Sequence, residues 1–141
     1  TNDNNKYLCK RAYETEYLID PILMKKIFCF DLDNTICSTE KNNYKKAKPK
    51  KNVIKVINQL YDKGHIIKIY TARFMGRNSD NINKAKKEGT GFTSKQLKTW
   101  EIKYHKLIMG KPSFDIVIDD KSIFYKKNWP LILKKKFNID K

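Results

Sequence analysis

The chain has 141 residues, of which 40% are hydrophobic, and a formal net charge of +16. This size fits one domain with one core, and the longest apolar runs are far shorter than the roughly 20 residues that a membrane-spanning helix needs. No apolar signal segment opens the chain, so we expect a cytoplasmic protein without a membrane partner.

Two parts of the chain differ in their pattern. We interpret residues 1–23 as an N-terminal extension or the tail of a preceding domain, and residues 24–141 as one compact domain. Lys26–Phe30 is a short apolar run that predicts the first strand of this domain. Cys29 lies in this run, where we expect a buried thiol that behaves as a small hydrophobic residue in a reducing compartment.

A helix and a second strand are predicted next. Pro49 and the apolar residues at helical spacing between Val53 and Leu60 predict a helix that ends near Gly64. The following apolar run, His65–Tyr70, predicts a strand.

The second half of the domain continues this alternation. Thr93 and Gln96 have the spacing of a capping box, which predicts a helix from Thr93 through about Tyr104. Two short apolar runs, Leu107–Met109 and Ile116–Ile118, predict further strands. Strands that alternate with helices indicate an α/β fold with a central, mostly parallel sheet. Such sheets bind ligands at the carboxyl ends of their strands.

Two carboxylates directly follow the first predicted strand. Asp31 and Asp33 lie two positions apart and are followed by Asn34 and Thr35. A lone Asp-x-Asp pair is weak evidence, because it also marks other metal sites and ordinary turns. The buried strand before the pair and the Asn-Thr after it make the pattern specific.

Four segments of the chain resemble the four motifs of the haloacid dehalogenase (HAD) superfamily, in the order of that family. They are Phe28 to Thr35, Thr71 within Tyr-Thr-Ala-Arg, Lys111 within Gly-Lys-Pro, and Asp119-Asp120 after Ile-Val-Ile. Together with Ala47-Lys48-Pro49, they are most similar to the small capsule-biosynthesis phosphatases. The resemblance covers residues 26 to about 125 and implies a Rossmann-like, three-layer fold.

The resemblance implies a phosphatase with a covalent intermediate. Asp31 would be the nucleophile that forms an aspartyl phosphate, and Asp33 the general acid and base. Asn34, Thr71 and Lys111 would bind the phosphoryl group. Alternatively, the two aspartates form a polar turn or a metal-only site, Thr71 bonds the local backbone, and Lys111 is a solvated lysine.

The resemblance also implies Mg²⁺ as a cofactor. Its ligands would be the Asp31 carboxylate, the Asp33 main-chain carbonyl and the Asp119 carboxylate, with Asp120 acting through water. A cation reduces the repulsion between a carboxylate and a phosphate ester, and Mg²⁺ favours such hard oxygen ligands. The alternative is that Asp119 and Asp120 cap a helix.

Two arginines and two histidines near these motifs have less specific signals. Arg73 and Arg77 are candidate substrate-binding residues that could face the leaving group, and a solvated loop is the equal alternative. His65 and His105 have no ligand-like partners in the sequence, so we expect structural roles for both.

The insertions between the motifs are too short for a folded cap domain. About 15 residues separate Asp33 from the predicted helix near Pro49, which is enough for a flap. The residues between Thr71 and Lys111 are needed for a loop, a helix and a strand. We therefore expect a capless domain, whose open site implies a bulky substrate or closure by a homo-oligomer or a fused upstream domain.

The expected function is Mg²⁺-dependent hydrolysis of a sugar or polyol phosphate in capsular or surface polysaccharide biosynthesis, a pathway implied by the resemblance alone. The basic charge attracts phosphate polymers and leaves two alternatives, a polynucleotide or phosphoprotein phosphatase and a noncatalytic basic binding module. Nucleic acid is the less favoured partner, because only Arg11, Arg73 and Arg77 are arginines and base and phosphate contacts favour arginine. We interpret most of the charge as a solvated surface.

Overall fold

The structure is a computed structural model that describes residues 24–139. The interpretation of residues 1–23 falls outside this range. The strands are β1 (Ile27–Phe30), β2 (Cys37–Ser38), β3 (Lys48–Pro49), β4 (Ile66–Thr71) and β5 (Lys106–Met109), and the helices are α1 (Lys51–Asp62), α2 (Ile82–Thr99) and α3 (Trp129–Lys136). Within the described range, no helix has the length and apolar character to cross a membrane.

The main sheet has three strands in the order β1-β4-β5, and both strand pairs are parallel. In the register, Phe30 lies opposite Ile69, and Thr71 lies opposite Met109. Helix α1 connects β1 to β4 and helix α2 connects β4 to β5, as parallel strands require a crossover connection. The predicted α/β class with a mostly parallel sheet is confirmed.

One face of this sheet carries the hydrophobic core. Side chains alternate along β4, so that Ile67 and Ile69 are fully buried. The apolar residues of α1 recur every three or four positions and pack against them, together with Leu97 of α2 and Leu133 of α3. In the described part of the chain, the three helices cover this one face, so the third layer of the expected fold stays a prediction.

The other face of β1 corrects one expectation. Cys29 is exposed rather than buried, and its strand neighbour on the same face, Ile27, is 62% exposed. The prediction assumed that both faces of the strand are covered. On the opposite face, Phe30 is buried in the core and Phe28 packs against it.

Helix α2 begins earlier than the sequence predicted. Its first residue is Ile82, and the Asn81 side chain caps it by accepting a hydrogen bond from the Lys84 amide at 3.1 Å. The capping-box prediction at Thr93 is wrong, because Thr93 is a buried residue inside the helix. The helix ends at Thr99 rather than near Tyr104.

The strand predicted at Ile116–Ile118 is also wrong. This segment has no regular structure, and its side chains are exposed by 81%, 59% and 96%. Three apolar residues bury too little surface to hold a strand without a hydrogen-bonded neighbour. The segment is part of the irregular stretch between β5 and α3.

A short flap lies between β1 and α1. Strands β2 and β3 pair antiparallel, and a 3-10 turn at Tyr44–Lys46 connects them. We call residues 37–49 the flap. Its small size agrees with the expectation that this insertion is too short for a folded cap.

Candidate functional site

Three strands bring polar residues to one edge of the sheet. Asp31 follows β1, Thr71 ends β4, and Lys111 follows β5 after one glycine. Because the three strands are parallel, their carboxyl ends lie side by side. Lys111 Nζ lies 3.2 Å from Asp31 Oδ1, although the two residues are 80 positions apart. The structure therefore brings together the first and third predicted motifs.

The Asp31 carboxylate is partly open to solvent. Its side chain is 39% exposed, and that of Lys111 is 20% exposed. Oδ1 accepts a hydrogen bond from Lys111, and Oδ2 accepts one from the Thr35 hydroxyl at 3.0 Å. The position is thus accessible to a small anionic ligand and has a cation beside it.

Asp33 is held much more tightly than Asp31. Arg73 donates from Nε to Oδ2 at 2.9 Å and from Nη2 to Oδ1 at 2.8 Å, which is a bidentate pair. The Thr39 hydroxyl donates to Oδ1 at 2.6 Å. The Arg73 side chain is 0% exposed, whereas that of Asp33 is 21% exposed. The alternative that Arg73 belongs to a solvated loop is therefore wrong.

The remaining contacts of Arg73 join it to α2 and to the flap. Nη1 donates to Gln96 Oε1 at 2.6 Å, and Gln96 Nε2 donates to the Tyr44 carbonyl at 2.7 Å. The guanidinium also lies over the Tyr44 ring, 4.8 Å from its centroid. Sequence reasoning assigned Gln96 to a capping box and gave Tyr44 no role. No local signal marks either residue, since both contacts join distant parts of the chain.

Thr71 and Asn34, the other predicted phosphate-binding residues, lie beside these groups. The Thr71 hydroxyl accepts a hydrogen bond from the Arg73 amide at 3.1 Å, and Thr71 is only 1% exposed. A hydroxyl that accepts one bond still has a proton to donate. Asn34 Oδ1 accepts from the Thr39 amide at 3.1 Å. These bonds fix both side chains locally, and phosphate binding by them stays a prediction.

Each of the three strand-end loops has a left-handed residue next to a site residue. Asn34 follows Asp33 with φ 62°, Phe74 follows Arg73 with φ 66°, and Gly110 precedes Lys111 with φ 93°. Glycine and asparagine adopt this conformation readily, whereas a bulky side chain does not. The backbone therefore turns sharply at all three places, which directs the site residues to one edge.

Arg77 lies farther from the carboxylates than Arg73. It pairs with Glu88 at 3.0 Å, and its guanidinium lies 4.8 Å from the centroid of the Phe74 ring. Hydrogen bonds from Asn78 and Arg77 lower the pKa of Glu88. Arg77 lines a cleft of about 350 Å³ beside the flap, together with Tyr44 and other residues. Substrate binding by Arg77 stays a prediction.

The residues of the fourth predicted motif form a local turn. Asp119 Oδ1 accepts from the Lys121 amide at 2.8 Å, and both Asp119 and Asp120 are exposed. Within residues 24–139, no three His, Cys, Asp or Glu side chains come together as a group that could hold a metal ion. The oxygen ligands predicted for Mg²⁺ are of the right chemical type, and one of them is a main-chain carbonyl rather than a side chain, so Mg²⁺ binding by this set stays a prediction.

The two histidines and the buried cysteine have structural contacts. Nδ1 of His65 accepts from the Lys26 amide, and Nδ1 of His105 accepts from the Ile67 amide, each at 3.0 Å. Burial and, to a smaller extent, nearby lysines lower the pKa of His65, which keeps this acceptor nitrogen unprotonated. Burial raises the pKa of the Cys37 thiol, which lies 3.6 Å from Asp33 Oδ1.

Comparison with known proteins shows that a solved structure shares this fold. The chain is similar to a crystal structure from Vibrio cholerae, with a TM-score of 0.66 and 24% sequence identity over 84% of this chain and 100% of that chain. At this identity, the similarity shows the fold alone. No protein-family model and no curated protein matches the chain.

Proposed function

We propose that this chain hydrolyses a phosphate monoester through an aspartyl phosphate formed on Asp31, with Mg²⁺ as its cofactor. The observation that carries the proposal is the contact between Lys111 and Asp31 at the edge where β1, β4 and β5 end, with Asp33 on the same loop as Asp31. This arrangement combines an accessible carboxylate, a cation and a second carboxyl group. The resemblance to HAD phosphatases supports the same roles.

In the first step, an oxygen of the Asp31 carboxylate attacks phosphorus. A new bond forms between this oxygen and phosphorus, and the bond from phosphorus to the alcohol oxygen breaks. The departing alkoxide takes a proton from the Asp33 carboxyl group, so an alcohol leaves and Asp33 becomes a carboxylate. Asp31 now carries the phosphoryl group as an acyl phosphate.

In the second step, water attacks the phosphorus of this acyl phosphate. Asp33 takes a proton from the water as the new oxygen–phosphorus bond forms, and the bond to Asp31 breaks. Inorganic phosphate leaves, Asp31 is again a carboxylate, and Asp33 again carries a proton. Both acid and base functions of Asp33 are therefore used once in each cycle.

Lys111 has an electrostatic role in both steps. Its ammonium lies 3.2 Å from Asp31 Oδ1, where it would contact the phosphoryl oxygens of a group bound to that carboxylate. Fixed positive charge at this place stabilises the negative charge that shifts among the oxygens in the transition state. The Thr71 hydroxyl, at the end of the neighbouring strand, would add one hydrogen bond.

Mg²⁺ is proposed from the chemical type of the residues and from the resemblance. Asp31 and Asp119 offer the hard oxygens that this ion favours. Because no three His, Cys, Asp or Glu side chains of the described residues come together, we assign no reaction step to the ion. For the substrate, we propose a sugar or polyol phosphate, as in the capsule-biosynthesis phosphatases that the sequence resembles.

The first experiment replaces Asp31 by asparagine. An amide is not an anionic nucleophile, so we expect the Asp31→Asn variant to lose phosphatase activity and to keep its unfolding midpoint within a few degrees. Asp62→Asn is the matched control, because Asp62 is an exposed carboxylate that pairs with Lys103 on the surface. This control should turn over substrate like the wild type.

The covalent intermediate is tested separately. With a ³²P-labelled substrate, rapid acid quench of the wild type should trap label on the protein, and hydroxylamine should release it. Substrates should include sugar phosphates, polyol phosphates and a 3′-phosphorylated oligonucleotide, at about 0.15 M salt, where long-range charge is screened. Full activity of Asp31→Asn, or turnover without trapped label, would contradict the proposed mechanism. A higher kcat/KM for the oligonucleotide than for the sugar and polyol phosphates would contradict the proposed substrate class but not the proposed mechanism.

A further inference from the structure

Arg73 is a fully buried cation, and each of its three guanidinium nitrogens has a fixed partner. Two of its nitrogens bind Asp33, and the third, Nη1, binds Gln96. Burying a polar group costs free energy unless protein acceptors replace its hydrogen bonds to water, and the oxygens of Gln96 and Asp33 are acceptors whether or not Asp33 carries a proton. The guanidinium is therefore confined to the geometry that Asp33 and Gln96 define, and its donors are not directed towards a leaving group.

This geometry makes the two oxygens of Asp33 unequal. Oδ1 accepts from Arg73 Nη2 and from the Thr39 hydroxyl, and the Cys37 thiol lies 3.6 Å away. Among the described residues, the partner of Oδ2 is Arg73 Nε alone. Since a carboxylate oxygen has two lone pairs, Oδ2 keeps one for a proton, whereas both on Oδ1 are used.

We propose that Arg73 is a positioning residue that fixes Asp33 so that Oδ2 gives a proton to the leaving alcohol and takes one from water. This inference depends on the proposed function, because it assigns an atom to the acid–base role of Asp33. Gln96 extends the arrangement, since its amide joins Arg73 to the Tyr44 carbonyl of the flap. The flap and the proton-transferring oxygen are thereby held by one chain of hydrogen bonds.

A positioning role predicts a dependence on the leaving group. An alkoxide needs a proton to depart, whereas p-nitrophenolate is stable without one. Misplacing Asp33 should therefore reduce turnover of a polyol phosphate and change that of p-nitrophenyl phosphate much less. A general structural defect would reduce both to the same extent.

The test is kcat/KM of Arg73→Lys on both substrates, because kcat/KM includes the steps up to departure of the leaving group. Lysine keeps the charge but loses the fork that binds both oxygens. We expect a loss of about 100-fold on the polyol phosphate, in the range of general acid catalysis, and of at most about 10-fold on p-nitrophenyl phosphate. Lys103→Ala, which removes a surface ion pair, should change neither.

Gln96→Met is a second variant that leaves the Asp33 and Arg73 pair in place. It removes one anchor of Arg73 and the link to the flap, so we expect a smaller loss with the same leaving-group dependence. If circular dichroism shows that Arg73→Lys is unfolded, the leaving-group dependence of Gln96→Met alone tests the positioning role. Equal losses on both substrates, or no loss on either, would overturn the positioning role. A wild type that is inactive on both would instead overturn the proposed function, and with it any catalytic role of Arg73.

Discussion

Replacing Gly89 by alanine tests how closely helix α2 approaches the loop that carries Arg73. A Cβ at position 89 would overlap the Phe74 ring, with Cε2 at 2.6 Å, and would lie 2.9 Å from Met109 Cε. The Phe74 ring has little room to move, because it packs against Tyr44 at 4.9 Å between centroids. Phe74 directly follows Arg73, so a shift of its ring displaces the residue that holds Asp33.

Gly91 is the matched control for this substitution. It lies two positions later in the same helix and is exposed, and a Cβ added at this position would have nothing within 4 Å. Alanine in a helix interior is more favourable than glycine by about 0.8–1.0 kcal/mol. Overpacking a filled site costs about 1–3 kcal/mol. We therefore expect Gly91→Ala to stabilise the protein and Gly89→Ala to be less stable than Gly91→Ala by about 1–3 kcal/mol.

Urea unfolding gives the two free energies of unfolding, with unchanged m values as evidence that both variants unfold alike. Activity on a polyol phosphate gives the effect on the site. We expect kcat/KM to fall for Gly89→Ala and to stay at the wild-type value for Gly91→Ala. If Gly89→Ala is as stable and as active as Gly91→Ala, the inference that Phe74 packs too closely against helix α2 to admit a Cβ at position 89 is wrong.

Three further predictions concern the charged groups. Lys111→Met should lower kcat by about 100-fold or more, as for other lost electrostatic contacts in transition states. The free energy of unfolding of this variant should change by less than about 1 kcal/mol, because the ion pair of Lys111 with Asp31 is partly exposed. A kcat equal to that of the wild type would contradict the electrostatic role of Lys111. Because the pKa of His65 is lowered in the folded state, stability should fall as pH drops below 6.5, by at most about 1.4 kcal/mol per pH unit. His65→Asn keeps an acceptor and should weaken this pH dependence of urea unfolding; an unchanged dependence would exclude His65 as its source. EDTA should abolish turnover and Mg²⁺ should restore it, since a cation reduces the repulsion between a phosphate dianion and the Asp31 carboxylate. Full activity in EDTA would refute the proposal that Mg²⁺ is the cofactor.

The elements that were predicted well have strong local patterns. Helix α1 repeats apolar residues every three or four positions, and β4 is an apolar run that Lys68 interrupts and Thr71 ends. The start of α2 was missed because residues 82–92 contain polar residues and two glycines, which resemble a loop. At position 89, Phe74 and Met109 leave no room for a Cβ, and a local sequence pattern does not reveal this contact.

The residues of the candidate site were predictable where a short sequence motif contains them. The resemblance to the HAD motifs singled out Asp31 and Lys111, each in a loop after a strand, and the structure brings them into contact. The role of Arg73 was not predictable, because its burial depends on Asp33, Gln96 and Tyr44, which come from three separate parts of the chain. A buried arginine and a solvated one have the same sequence signal.

The left-handed backbone at Phe74 has a consequence for motion. Of the three residues that turn the strand-end loops, Asn34 and Gly110 adopt positive φ at little cost, whereas a bulky residue such as Phe74 loses about 1–2 kcal/mol. Packing of its ring against Tyr44 in the flap compensates for this strain. Any fluctuation that lifts the flap removes that support, so the loop after β4 should open together with the flap as one cooperative unit. Order in the flap and order at Asp33 are therefore linked through local unfolding.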